Sequence, residues 1–61
     1  MKITLRAARV NAGLSLKDVS KNLNTSYATV SRWETGKSVP SIKKFKELCA
    51  LYGIEESMIA I

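Results

Sequence analysis

The residues best suited to chemistry lie in the stretch SYATVSRWETGK, residues 26–37, which holds an arginine, a tyrosine and the chain's single tryptophan. In a helix at about 100° per residue, Trp33 falls on the inner side, Arg32 falls outward among small polar residues, and Tyr27 lies at the edge of that outer face. An outward guanidinium can read guanine, contact a phosphate or remain solvated. The stretch therefore indicates close approach to another surface.

The composition gives little support to an enzyme. The 61 residues contain no histidine, a single cysteine and only three glycines, so neither a metal-ligand pattern nor a glycine-rich phosphate loop is present. Cys49 cannot form an internal disulfide, and because it shares an apolar helical face we interpret it as a buried, inert thiol. The sequence predicts no catalytic residue, metal, cofactor or small-molecule ligand.

Charge is divided unevenly along the chain. Residues 1–46 carry a net charge of +8 and residues 47–61 carry −3. A basic body indicates a polyanionic partner, most commonly nucleic acid, although solubility alone would also explain it. No apolar run is long enough for a signal peptide or a membrane span, which predicts a cytoplasmic location. We also expect these 61 residues to leave no room for a ligand-sensing domain.

Apolar spacing predicts an all-α fold. With 46% hydrophobic residues the chain is expected to form a single domain over residues 1–61. Leu5, Ala8 and Ala12 recur on one face of a first helix, and each of the three glycines follows a helical segment, where a left-handed residue is favoured. The predicted helices cover about residues 2–12, 16–23 and 26–35, a fourth whose face is marked by Ile42, Phe45, Leu48, Cys49 and Tyr52, and a short fifth over 55–60.

The link between the second and third helices is very short. Ser15 can cap the second helix, and Asn24, which tolerates a left-handed turn, precedes Thr25 and Ser26, whose hydroxyls can start the third. This is the layout of a helix-turn-helix, here over about residues 16–35. Glu34 borders the inner face of the third helix and needs a partner, for which Arg9 on the first helix is the candidate.

The segments AGLSLKDVS, TVSRWETGKSVPS and LYGI occur in an order and spacing that resemble the Cro/C1-type (Xre) helix-turn-helix domain of lambdoid phage repressors. The resemblance covers nearly the whole chain. It implies a compact, lambda-repressor-like bundle of five short helices, with the third helix, about residues 26–35, in the DNA major groove.

The resemblance also implies roles for particular residues. Base contacts fall on Ser26, Tyr27, Ala28 and Arg32, phosphate contacts fall on Lys37, Ser38 and Ser41, and a buried ion pair falls on Arg9 and Glu34. Leu16 stands where the family usually has a phosphate-binding glutamine, so Lys17 is expected to dock the second helix instead. Apart from the resemblance, the lysine run Lys43, Lys44 and Lys46 is interpreted as a solvated helix face. Only Lys43 and Lys44 lie near enough to a helix start to face a phosphate, and Lys43 is included in the predicted phosphate set.

The resemblance implies a sequence-specific, double-stranded DNA-binding transcriptional regulator of the phage or mobile-element Cro/repressor type. The tail IEESMIAI and Tyr52 are predicted to offer more apolar surface than a monomer can bury, so we expect a homodimer on a pseudo-palindromic operator. The alternatives are a protein-interaction module on the same fold, such as an antirepressor or dimerising adaptor, and a DNA-binding antitoxin. The basic body favours a DNA binder over a pure interaction module.

Overall fold

The computed structural model describes residues 2–60 and confirms the all-helical prediction. Four α-helices are followed by a single 3-10 turn: α1 is Leu5–Asn11, α2 is Leu16–Asn22, α3 is Tyr27–Thr35, α4 is Ile42–Tyr52, and the 3-10 turn is Glu56–Met58. Among these elements, none has both the length and the apolar character needed to cross a bilayer.

A hydroxyl side chain begins each of the four α-helices. The residues are Thr4, Ser15, Ser26 and Ser41, and each accepts a hydrogen bond of 3.0 to 3.2 Å from the backbone N–H three residues further on. At α2 the carboxylate of Asp18 also accepts from the backbone N–H of Ser15, which lowers the pKa of Asp18. These contacts satisfy backbone donors that a helix leaves free, and they fix where each helix starts.

The turn between α2 and α3 is built as its sequence predicts. Asn24 adopts a left-handed conformation with φ of 52°, and the N–H of Thr25 donates to the carbonyl of Ser20 at 3.0 Å. Gly36 ends α3 in the left-handed region with φ of 79°. The helix that carries the candidate recognition residues therefore has a defined start and a defined stop.

One apolar core joins all the elements. Trp33 is buried in it, and Val19, Val30 and Leu48 are its most completely enclosed side chains. The core consists of Leu5, Ala8, Val19, Leu23, Val30, Trp33, Leu48, Cys49, Tyr52 and Ile59. Because α1 and α2 pack against α3 and share this core with it, the position of α3 depends on tertiary packing.

The two ends of the described chain pair with each other. The N–H of Ile3 donates to the carbonyl of Met58 at 2.8 Å, and the N–H of Ala60 donates to the carbonyl of Ile3 at 2.8 Å. Ile3 and Ile59 thus form a parallel bridge, the one isolated pairing of extended backbone within residues 2–60. The sequence showed no strand pattern there, and two residues are too few to produce one.

Four details of the predicted helices differ from the structure. The first helix begins at Leu5 rather than near residue 2, because Ile3 pairs with the tail, and Ala12 is an exposed C-cap. The predicted fifth helix is only a 3-10 turn. Ile42 is 77% exposed instead of belonging to the apolar face of α4. As the first residue of that helix, it directs its side chain toward the N-terminal end, beyond the core.

Candidate nucleic-acid interface

Helix α3 presents one buried face and one open face. Val30 and Trp33 are buried, whereas Ala28, Arg32 and Thr35 are exposed. Tyr27 is 57% exposed at the start of the helix. Ser31, predicted to face outward, is half-buried, because it lies at the border where α1 and α2 approach α3. The open face is thus narrow and polar, with one long cation in the last turn of the helix.

The buried face is fixed by an ion pair between α1 and α3. The Nε of Arg9 donates to Oε2 of Glu34 at 2.7 Å and its Nη2 donates to Oε1 at 3.3 Å. The Nη1 of Arg9 donates to the carbonyl of Leu14 at 2.8 Å, a contact that sequence reasoning missed. The two charged side chains are 13% and 7% exposed, and the hydrogen bond to Glu34 raises the pKa of Arg9. The pair thus holds α3 and the start of α2 against α1.

The four residues expected at base edges extend from the N-cap of α3, Ser26, to its last turn, which holds Arg32. Tyr27, Ala28 and Arg32 are exposed. The Oγ of Ser26 is engaged within the protein, since it accepts from the N–H of Thr29 and lies 2.7 Å from the hydroxyl of that residue. Within residues 2–60 the guanidinium of Arg32 has no ion-pair partner, so it is available to an external acceptor.

The residues expected at phosphates occupy three different elements. Lys17 lies in the first turn of α2, Lys37 follows Gly36 in the loop, and Lys43 lies in the first turn of α4; all three are exposed. Neither ion pair found in the described part of the chain involves these lysines. Ser38 is half-buried in the same loop. Ser41 is exposed, although its hydroxyl caps α4.

Lys44, which lies near enough to the start of α4 to face a phosphate, is instead engaged within the protein. Its Nζ donates to the carbonyl of Leu23 at 2.6 Å and lies 3.6 Å from the carboxylate of Glu47. Lys44 therefore binds the carbonyl of the C-cap residue of α2 and ties α4 to the helix-turn-helix turn. No local pattern could have predicted this contact, because the two residues are 21 positions apart and meet only through packing.

The tail is better buried than its sequence predicts. Tyr52 and Ile59 belong to the core, and burial raises the pKa of the Tyr52 phenol to about 12. Among the described residues, the two most exposed large apolar side chains lie in the loop before α4 and at its start, where Val39 is 73% and Ile42 is 77% exposed. In the tail Met58 is 40% exposed, and Ile61 lies outside the described residues.

Titratable side chains do not gather into a reactive cluster in residues 2–60. No three of the His, Cys, Asp and Glu side chains there lie close enough to hold a metal ion. Cys49 is buried as predicted, and burial raises the pKa of its thiol, which disfavours the reactive thiolate.

A short turn between two helices, with the second helix open and polar on its outer side, defines a helix-turn-helix domain. The sequence model of the helix-turn-helix family matches residues 5–59. The chain therefore belongs to this family, in its Cro/C1-type (Xre) branch, which consists of DNA-binding regulator domains. No curated protein and no solved structure gave a significant match.

Proposed function

We propose that this chain is a sequence-specific transcriptional regulator that inserts α3 into the major groove of double-stranded DNA. The observation that carries the proposal is the open face of α3, where Arg32 is exposed without an ion-pair partner in the described chain while Trp33 anchors the opposite face in the core. A helix anchored on one side and polar on the other can enter a groove about 12 Å wide.

The side chains of that face suit direct readout. Ala28 is small enough to let the helix approach the base edges closely. Arg32 lies on the exposed face of the last turn of α3, where its guanidinium can donate two hydrogen bonds to O6 and N7 of guanine. Tyr27 supplies a ring for a thymine methyl group and a hydroxyl for a phosphate. We assign base contact to these three residues and to Ser26.

Positive side chains around α3 support the docking role. Lys17, Lys37 and Lys43 are exposed, and together with Ser38 and Ser41 they form the proposed phosphate-contacting set. Contacts of this kind position a protein on the duplex and make its affinity depend on salt. Residues 47–61, which carry a net negative charge, follow this basic body. We therefore propose that this C-terminal part of the chain lies away from the DNA.

We further propose a homodimer on a pseudo-palindromic operator, acting in the cytoplasm as a Cro/repressor-type regulator of a phage or mobile element. The resemblance to lambdoid phage repressors supports the origin and the type. The exposed Val39 and Ile42, rather than the buried Tyr52, are the surface that a second copy would cover. Two copies of α3 would then lie about 34 Å apart, one turn of DNA.

Binding is tested first on random-sequence duplex by mobility shift at two salt concentrations. A DNA binder shifts the duplex and loses affinity steeply as salt rises, because counterions are released from the contacted phosphates. Absence of any shift at low salt would contradict the proposal and favour a protein-interaction module. Selection from a random duplex pool then yields the operator.

Symmetry is tested on the selected operator by footprinting. A dimer protects two related half-sites, and Ile42→Ser should weaken that cooperative protection while Val10→Ser, a change at a residue of α1 that is 58% exposed, should not. Protection of a single asymmetric half-site would contradict the dimer. That outcome would not contradict the proposal that the protein binds DNA.

A further inference from the structure

A polar notch borders α3 on the side of α1 and α2. Its volume is about 250 Å³, and it is lined by Arg6, Arg9, Leu16, Ser31, Glu34 and Thr35. Three of these residues, Ser31, Glu34 and Thr35, belong to α3, so the notch is continuous with the helix proposed to enter the groove. Arg6 was not among the contact residues expected from the sequence.

The charged side chains in the notch are not all paired with one another. Arg9 and Glu34 bind each other through two hydrogen bonds, and Arg9 uses a third donor on the carbonyl of Leu14. Their charges therefore cancel inside the protein. Thr35 is also satisfied internally, since its hydroxyl donates to the carbonyl of Ser31 at 3.1 Å. The net positive charge of the notch comes from Arg6.

Among residues 2–60, no acidic side chain forms an ion pair with Arg6. The arginine itself is exposed. Residues 1–46 contain only two acids, Asp18 and Glu34. Asp18 accepts from the backbone of Ser15 in the α2 cap, and Glu34 is held by Arg9. The guanidinium of Arg6 is thus a free cation beside the open face of α3.

We infer that Arg6 binds a phosphate of the DNA backbone, which extends the contact surface to α1. This rests on the proposed function. A helix in the major groove is bordered by two phosphate backbones, one along each wall of the groove. In this arrangement Lys37 and Lys43 contact the phosphates near the end of α3 that leads to α4. Arg6 and Lys17 contact the phosphates on the flank formed by α1 and α2. An arginine fork suits this role because it can donate two parallel hydrogen bonds to phosphate oxygens.

Binding titrations on random-sequence duplex at several salt concentrations test the inference. One phosphate contact contributes about 0.9 to the slope of log affinity against log salt. Arg6→Ala should therefore lower that slope by about 0.9 and bind duplex about eightfold more weakly than the wild type at 0.1 M salt. The difference in affinity between the two proteins should disappear toward 1 M salt. Arg6→Lys, which keeps the charge, should retain most of the slope.

Lys46→Ala is the matched control, because it removes one exposed positive charge from α4 outside the proposed contact surface. It should leave the slope unchanged. Equal slopes for the wild type and Arg6→Ala would overturn the inference while leaving the proposed function standing, whereas a wild type that does not bind duplex would overturn the proposed function itself. Thermal melting establishes that each variant is folded, and Arg6→Gln, which keeps the side-chain length, replaces Arg6→Ala if the alanine variant melts early.

Discussion

Arg9 and Arg32 are the same residue type on opposite sides of α3, and their surroundings differ in every respect. Arg9 is nearly buried and makes three hydrogen bonds to the protein, two of them to Glu34 of α3. Arg32 is exposed and has no ion-pair partner within residues 2–60. Arg9 thus stabilises the fold, whereas Arg32 is available to contact a binding partner.

The contrast separates stability from recognition on the two sides of one helix, α3. Removing a buried ionic partner strands the remaining charge in a poorly solvated place, which is costly. Removing an exposed cation changes the folded state little, because both states solvate it well. Variants at the two arginines should therefore fall into two classes, one defective in folding and one defective in DNA binding.

The largest effect is expected for Arg9→Ala. It leaves the Glu34 carboxylate, which is 7% exposed, without its partner and should cost about 3–5 kcal/mol of unfolding free energy. Since small domains are only marginally stable, the variant should be mostly unfolded at 37 °C. Thermal unfolding followed by circular dichroism measures this.

Arg32→Ala is the control for that experiment, since it removes the same side chain from the outer face. It should melt within a few degrees of the wild type. If Arg9→Ala also melts within a few degrees, the ion pair does not hold α1 against α3. The proposed distinction between the two arginines then fails.

The second largest effect is a loss of stability at high pH, and it is expected from Tyr52 on the buried side of the molecule. Burial, with the nearby Glu34 carboxylate as a second cause, raises the pKa of this phenol from 10.0 to about 12. The folded state therefore keeps the proton that the unfolded state loses, so stability is retained below pH 10 and falls as the pH rises from 10 toward 12. The loss should be about 2 kcal/mol at pH 12.

Urea unfolding at pH 9 and pH 12 measures this loss for the wild type and for Tyr52→Phe. Lysine titration lowers the unfolding free energy of both proteins alike. The decline between pH 9 and pH 12 should therefore be about 2 kcal/mol smaller in Tyr52→Phe than in the wild type. Identical declines would mean that Tyr52 is not protected in the folded state.

The smallest effect is expected for Lys37→Ala in the loop after α3. Lys37 is exposed just past Gly36, so its loss should weaken operator and scrambled duplexes equally and lower the salt slope by about 0.9. Titrations of both duplexes at several salt concentrations measure it, with Lys46→Ala as the reference. A loss confined to the operator would make Lys37 a base-reading residue.

The local parts of this fold could be predicted from the sequence. Ser15, Ser26, Ser41 and Asn24 act through neighbours within five positions, so their residue types alone indicate the caps and the turn. Helical periodicity likewise predicted the buried side of α3 correctly. The Arg9–Glu34 pair was predictable because each residue lies beside an inward face.

The contacts that were missed join residues far apart in the chain. Lys44 reaches the carbonyl of Leu23, and Ile3 pairs with Ile59; in each case the partner is known only after the helices have packed. The exposure of Ile42 was missed because periodicity gives the direction of a side chain but not the point where the core ends. The free charge of Arg6 required knowing which acids were already engaged.

Arg32→Ala shows whether the outer face of α3 reads base pairs. The affinity of this variant is measured on the selected operator and on a scrambled duplex at one salt concentration. We expect a loss of about 1–3 kcal/mol on the operator, a smaller loss on the scrambled duplex, and relaxed preference at one base pair in each half-site. Equal losses on the two duplexes would make Arg32 a phosphate contact, and no loss on either would show that α3 is not the DNA-reading element.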